Sequence, residues 1–271
     1  MPFSTEIPQD IIDIIIDELR GNNDALKSCA TVSRSFLQPS RKNLFMFICL
    51  DSLEKIERFQ NILTSIPDIS CYIHQLTLSM EAMLSAETHG PLTEASDRAL
   101  TSILKMIPCP RSLSLGISPL GRALAKWTVD FSDDLKSALI DLFQSPTLNS
   151  VEISRMTDLP LSILSVFTHV KRLRLALVML APSVSPSWVL PQIEALDLTI
   201  SVHSLHSPQI SFSFPNLRHI TLGWYSQHTS EFLQQLIASA ARSIQHVTWI
   251  SEGLLSACFL ILCYSFTQSP H

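Results

Sequence analysis

The chain has 271 residues, of which 46% are apolar and only 16% charged, and its formal net charge is −5. That length suits one long domain or a small module plus a larger one, and charge so far below the usual quarter or so means that much of the chain is interior. An acidic balance argues against a surface that tracks phosphates, and so against a nucleic-acid partner. Six glycines in the whole chain argue against phosphate-cradling loops and nucleophile elbows, which need glycines close together.

The first element opens at Pro8, a residue suited to the first helical turn, with Gln9, Asp10 and Asp13 placing acid near the positive end of the helix dipole. Ile11, Ile12, Ile14, Ile15 and Ile16 fill five of six positions, and Leu19 follows at helical spacing. Such a face is wider than one small core requires. Gly21-Asn22-Asn23 stops this helix, and Asp24 is the expected N-cap of a second one carrying Leu26, Cys29, Val32 and Phe36. Pro39 is expected to open a third, with Leu44 and Phe45 facing in. Three short helices cannot bury all of this isoleucine by themselves, and apolar helical surface that stays uncovered reads as a docking face.

This stretch, Ile7 to about Phe47, resembles the F-box motif. Pro8, Ile11, Ile12, Ile15, Leu19, Leu26, Val32, Arg34 and Phe36 fall on motif positions, with Ile7 standing for the usual Leu, Ser33 for Cys and Phe36 for Trp. The resemblance implies a three-helix module, residues 1–50, that docks onto the Skp adaptor of a cullin-RING ubiquitin ligase. Pro8, Ile11, Ile12, Ile15, Leu19, Leu26, Val32 and Phe36 are its expected adaptor contacts.

Beyond Asp51 the rhythm changes. Short apolar-x-apolar strands open at Ile48, Leu76, Leu113, Val151, Leu173, Leu196, Ile220 and Val247, at intervals of 22 to 38 residues. Helical spacing fills several gaps: Leu53 to Leu63, Ala99 to Ile107, Leu135 to Leu142, and Phe232 to Ile237. Strand and helix alternating at such intervals resemble degenerate leucine-rich repeats, best seen in "FPNLRHITL", Phe214 to Leu222. A curved α/β solenoid over residues 51–252 is the expected fold class, with a parallel sheet on its concave side. A doubly wound sheet is the alternative, without its glycine-rich first turn.

Two stretches rich in loop formers, Ser118 to Asp134 and Ala181 to Gln192, carry Trp127 and Trp188, each either a client contact or a lid on the core. Arg174 and Asp197 lie between apolar pairs that should point inward, so they are expected on the concave face as client contacts, with Thr77, Ser114, Glu152, Thr221 and Thr248 beside them. His219 and His246 are expected on that same face. Residues 253–271 form an apolar end segment, either a helix capping the array or a truncated terminus. Its longest run is 13 residues, Leu254 to Phe266, shorter than the ~18 to 20 a membrane helix needs, so no membrane is expected.

The six cysteines include no CxxC pair, and Glu6 and Asp10 interrupt any leader, which together suggest reduced, buried thiols in the cytoplasm or nucleus. His203-x-x-His206 has no further ligand at metal spacing, and Asp133, Asp134, Glu152, Asp158 and Glu194 define no acid/base pair. No cofactor or active site is expected. The sequence therefore reads as a non-enzymatic substrate receptor that joins the Skp adaptor and cullin scaffold to an unidentified protein client, with a plain repeat scaffold as the rival.

Overall fold

Three helices open the computed structural model, α1 (Gln9–Glu18), α2 (Asn23–Val32) and α3 (Arg34–Phe45). The structure describes residues 7–80, 93–116, 124–181, 187–190, 192–199, 211–224, 238, 240, 242–251 and 261–262. Ile12 and Ile16 of α1 close onto Leu26 of α2, with Leu19, Cys29, Phe36 and Leu44 packed around them. This cluster is separate from the main core, which begins at Leu50.

Local chemistry explains the boundaries. Gly21 adopts φ +90°, a left-handed conformation that lets the chain leave α1 without a Cβ clash. Asn22, not Asp24, caps α2: its side-chain oxygen accepts from the Ala25 amide at 3.1 Å, and Asp24 falls in the first turn, where its charge meets the helix dipole. Pro39 lies inside α3 instead of opening it. A proline there cannot donate to the carbonyl four residues back, that of Ser35. The Gln9 side chain supplies the missing donor at 3.1 Å, and this cross-helix bond lets the proline stay.

The remaining elements follow in chain order: β1 (Phe47–Leu50), α4 (Leu53–Ser65), β2 (Gln75–Ser79), α5 (Glu94–Met106), β3 (Ser112–Gly116), β4 (Ala125–Lys126), the single turn α6 (Trp127–Asp130) and α7 (Asp133–Phe143). The second half runs through β5 (Ser150–Ser154), β6 (Met156–Thr157), β7 (Leu159–Pro160), β8 (Arg172–Ala176), β9 (Leu180–Ala181), β10 (Ser187–Val189) and β11 (Ala195–Thr199). It ends with β12 (Ser211–Ser213), β13 (His219–Trp224), β14 (His246–Ser251) and β15 (Ile261–Leu262). The fold is mixed α/β, built on one large parallel sheet.

That sheet has the order β1-β2-β3-β5-β8-β11-β13-β14-β15, parallel throughout except for the last pair. The order never reverses, whereas a doubly wound sheet must reverse at its switch point. One two-pronged hydrogen bond recurs at every parallel step. The carbonyls of Met46, His74, Arg111, Asn149, Lys171, Glu194 and Arg218 each accept from two successive amides leading into the next strand, all at 2.8 to 3.1 Å.

Leucine, isoleucine and valine at alternate strand positions point to one face. Leu76, Leu78, Leu113, Leu115, Val151, Ile153, Leu173 and Leu175 are buried there against α4, α5 and α7. These helices also pack successively on one another. The long intervals contain α5 and α7, whereas β5 to β8 is bridged by a short 3-10 segment, Leu161–Val166, so interval length tracks crossover type. Described strand pairs β4–β6, β7–β9 and β10–β12 lie beyond the main strands. At Gly116 (φ +158°) a Cβ would collide with the Oγ and carbonyl oxygen of Ser154 on the next strand, so this close approach requires glycine.

Several expectations are corrected. Cys49 in β1, Cys71 in the 3-10 segment Pro67–Tyr72 and Cys109 in the connection after α5 are exposed, and among the described cysteines only Cys29 packs beside a core. The stretch before Asp134 is not simply loop: it holds β4 and α6, and the Ser132 hydroxyl caps α7. Asp97 of α5 accepts both from that hydroxyl and, at 3.2 Å, from the Ser132 amide, tying the two helices together. In the end segment the described part is β15, a strand antiparallel to β14 and not a helix, and the rest of that segment lies outside the described residues. Phe232 to Ile237 and His203-x-x-His206 also lie outside them.

Candidate functional site

The outer side of α1 is apolar and uncovered. Ile7, Ile11, Ile14 and Ile15 are 52%, 43%, 59% and 43% exposed, Val32 at the end of α2 is 69% exposed, and Pro8 is exposed beside them. Positions 7, 11, 14 and 15 follow helical spacing, so they form one stripe next to the inward pair Ile12 and Ile16. The expected contacts thus divide in three. Pro8, Ile11, Ile15 and Val32 face out; Ile12 and Leu26 are 4% and 0% exposed and hold the helices together; Leu19 and Phe36 are half-buried at the cluster margin. Ile14, which motif matching passed over, is the most exposed isoleucine of the stripe. Its signal was present in the five-in-six run, because no single core can take an isoleucine on every side of a helix.

A polar network fixes the tilt of α1. Asn43 of α3 is buried; its amide nitrogen donates to Asp17 at 2.8 Å and to the Pro39 carbonyl at 3.1 Å, and its oxygen accepts from Arg20 Nε at 3.1 Å. The Asn43 hydrogen bond is the main reason the Asp17 carboxyl is held below its ordinary value, with Arg20 and Lys42 adding to the pull against a smaller opposing effect of burial.

The second surface is the sheet face opposite the helices. Parallel register lines up Cys49, Thr77, Ser114, Glu152, Arg174, Asp197, Thr221 and Thr248 across eight strands, all at least partly exposed. Arg174 sits at its middle with Nη1 3.5 Å from Glu152 and Nε 3.3 Å from Asp197. Two residues earlier, Phe47, Gln75, Ser112, Ser150, Arg172, Ala195, His219 and His246 form a parallel row. There the imidazoles of His219 and His246 stack with centroids 4.9 Å apart and planes 3° from parallel, as register and strand spacing impose.

Trp127 does not belong to either surface. It is 4% exposed, packs against Phe131 at 5.2 Å between ring centroids, and closes the core as a lid. The apolar environment of α6 takes in an indole that the loop-like composition around it had left open. Trp188 stands in β10, and its side chain lies outside the described residues. Among the described residues no group of three or more His, Cys, Asp or Glu is placed to hold a metal ion, and no helix is long and apolar enough to cross a membrane. No family model matches the chain, and no curated protein matches it.

Proposed function

We propose that this chain is a substrate receptor of an SCF-type cullin-RING ubiquitin ligase: α1 to α3 form an F-box-like module that docks onto the Skp adaptor, and the sheet is the concave side of a leucine-rich-repeat-like solenoid that presents a protein client. The observation that carries the reading is the isoleucine stripe of α1, exposed although the helix already has its own inward pair and its own small core. Exposed apolar side chains gathered on one helix face fit a partner's groove. Strict strand order and the recurring two-pronged hydrogen bond support the solenoid half of the reading. The receptor itself does no chemistry. It holds client and ubiquitin-charged enzyme together, and the gain in effective concentration supplies the rate.

Co-expression tests this. The full chain, tagged, should co-purify stoichiometrically with the Skp adaptor and, through it, the cullin. Recovery of well-folded chain free of adaptor would replace the proposal with a repeat scaffold outside the ligase.

A further inference from the structure

The sheet carries a second charge pattern that the Arg174 row does not use. At the edge where the strands begin, Arg111, Lys171 and Arg218 occupy equivalent positions, each providing one of the recurring two-pronged carbonyls. Arg172, His219 and His246 stand next to them in the adjoining row of the open face. All six are exposed. Lys171 is held at 3.0 Å by Glu194, the one carboxylate at this edge among the described residues. Arg111, Arg172 and Arg218 are in no ion pair among the described residues. By contrast, Arg174 is shared between two carboxylates, so an anionic ligand would have to displace both.

Glu194 also feels the nearby charges of Arg218 and Arg172, more weakly than that of Lys171, yet in a chain of net charge −5 the four exposed cations Arg111, Lys171, Arg172 and Arg218 against this single carboxylate are a local excess that attracts anions. We propose that this edge binds an acidic, Asp/Glu-rich peptide segment of the client, laid across the strands from Arg111 to His246. The inference rests on the sheet being the client surface, and it names that client's chemistry. The span covers six strands, about 24 Å at ~4.8 Å per strand step. A peptide of about seven extended residues covers that distance. Guanidinium groups suit carboxylates because their donors meet both oxygens at once. The imidazole stack adds a flat surface for the peptide backbone where the arginine series ends.

The test uses the full chain and a fluorescein-labelled poly-glutamate peptide, with poly-lysine and a single-stranded DNA oligonucleotide as comparison probes. Poly-glutamate should bind, weaken steeply with salt, and lose at least tenfold in affinity in the Arg172→Glu, Arg218→Glu double variant, with a smaller loss in the Arg172→Gln, Arg218→Gln pair. Both variants should keep the wild-type melting curve and the wild-type adaptor binding. Absence of poly-glutamate binding, equal affinity in the variants, or DNA bound as tightly through the same arginines would overturn the inference. Any of these with adaptor binding intact refutes the acidic client alone. Loss of adaptor binding by the wild type refutes the ligase reading alone.

Discussion

Replacing Asn43 by alanine tests how α1 is held. Three hydrogen bonds disappear: two that Asn43 donates, to Asp17 and to the Pro39 carbonyl, and one that it accepts from Arg20. A hydrogen bond to a charged group is worth ~1.5 to 3 kcal/mol when shielded. Asp17 and Arg20 keep 49% and 46% of their side chains in water, so solvent replaces much of what they lose, and the whole deletion should cost about 1 to 2 kcal/mol at pH 7. The loss depends on pH. Because the Asp17 carboxyl is lowered in the folded chain, its stabilising contribution is complete above its unfolded value near ~4 and is lost as pH falls through the lowered folded value. Urea denaturation of wild type and Asn43→Ala, followed by circular dichroism, should show the full difference at pH 7 and a smaller one by about pH 3. An equal difference at both pH values, or none at pH 7, would refute the assigned role.

Three further outcomes follow from burial. Ile16→Ala should cost ~2 to 4 kcal/mol in the same denaturation assay, because its side chain is fully enclosed, whereas Ile14→Ala should stay within about 0.5 kcal/mol. Gly116→Ala should lower the melting temperature markedly and Gly21→Ala by less, since only the former drives a methyl group into the Ser154 backbone. Trp127→Ala should cost ~3 to 5 kcal/mol in urea denaturation, a result that a solvent-facing client contact would not give.

Much of the architecture was legible in the sequence. Each of the eight strand openings from Ile48 to Val247 lies in a strand of the main sheet, because apolar residues two apart are what a one-sided sheet demands. A further apolar residue stands three places before each opening: Ile73, Pro110, Leu148, Val170, Ile193 and Leu217 are buried at the turn into the strand, and Phe45 and Ile244 are half-buried there. That three-residue offset would have marked the repeats more sharply than the strands alone. What stayed hidden depended on partners distant in the chain. Pro39 reads as a helix start until Gln9, thirty positions earlier, supplies the donor its carbonyl partner needs. Trp127 reads equally as a client contact or as a lid until Phe131 and the core close over it. In α1 the sequence showed an excess of isoleucine, but only the packing of Ile12 and Ile16 decided which side was left outside.

The most direct measurement is a calorimetric titration of the Skp adaptor into the full chain, wild type and Ile14→Asp. Burying the exposed 59% of Ile14 is worth ~1 to 2 kcal/mol, and an aspartate in its place must also be desolvated at several kcal/mol. The account predicts binding by the wild type, at least a hundredfold weaker binding by the variant, and unchanged melting of the variant. Equal binding by both, or none by folded wild-type chain, would contradict it.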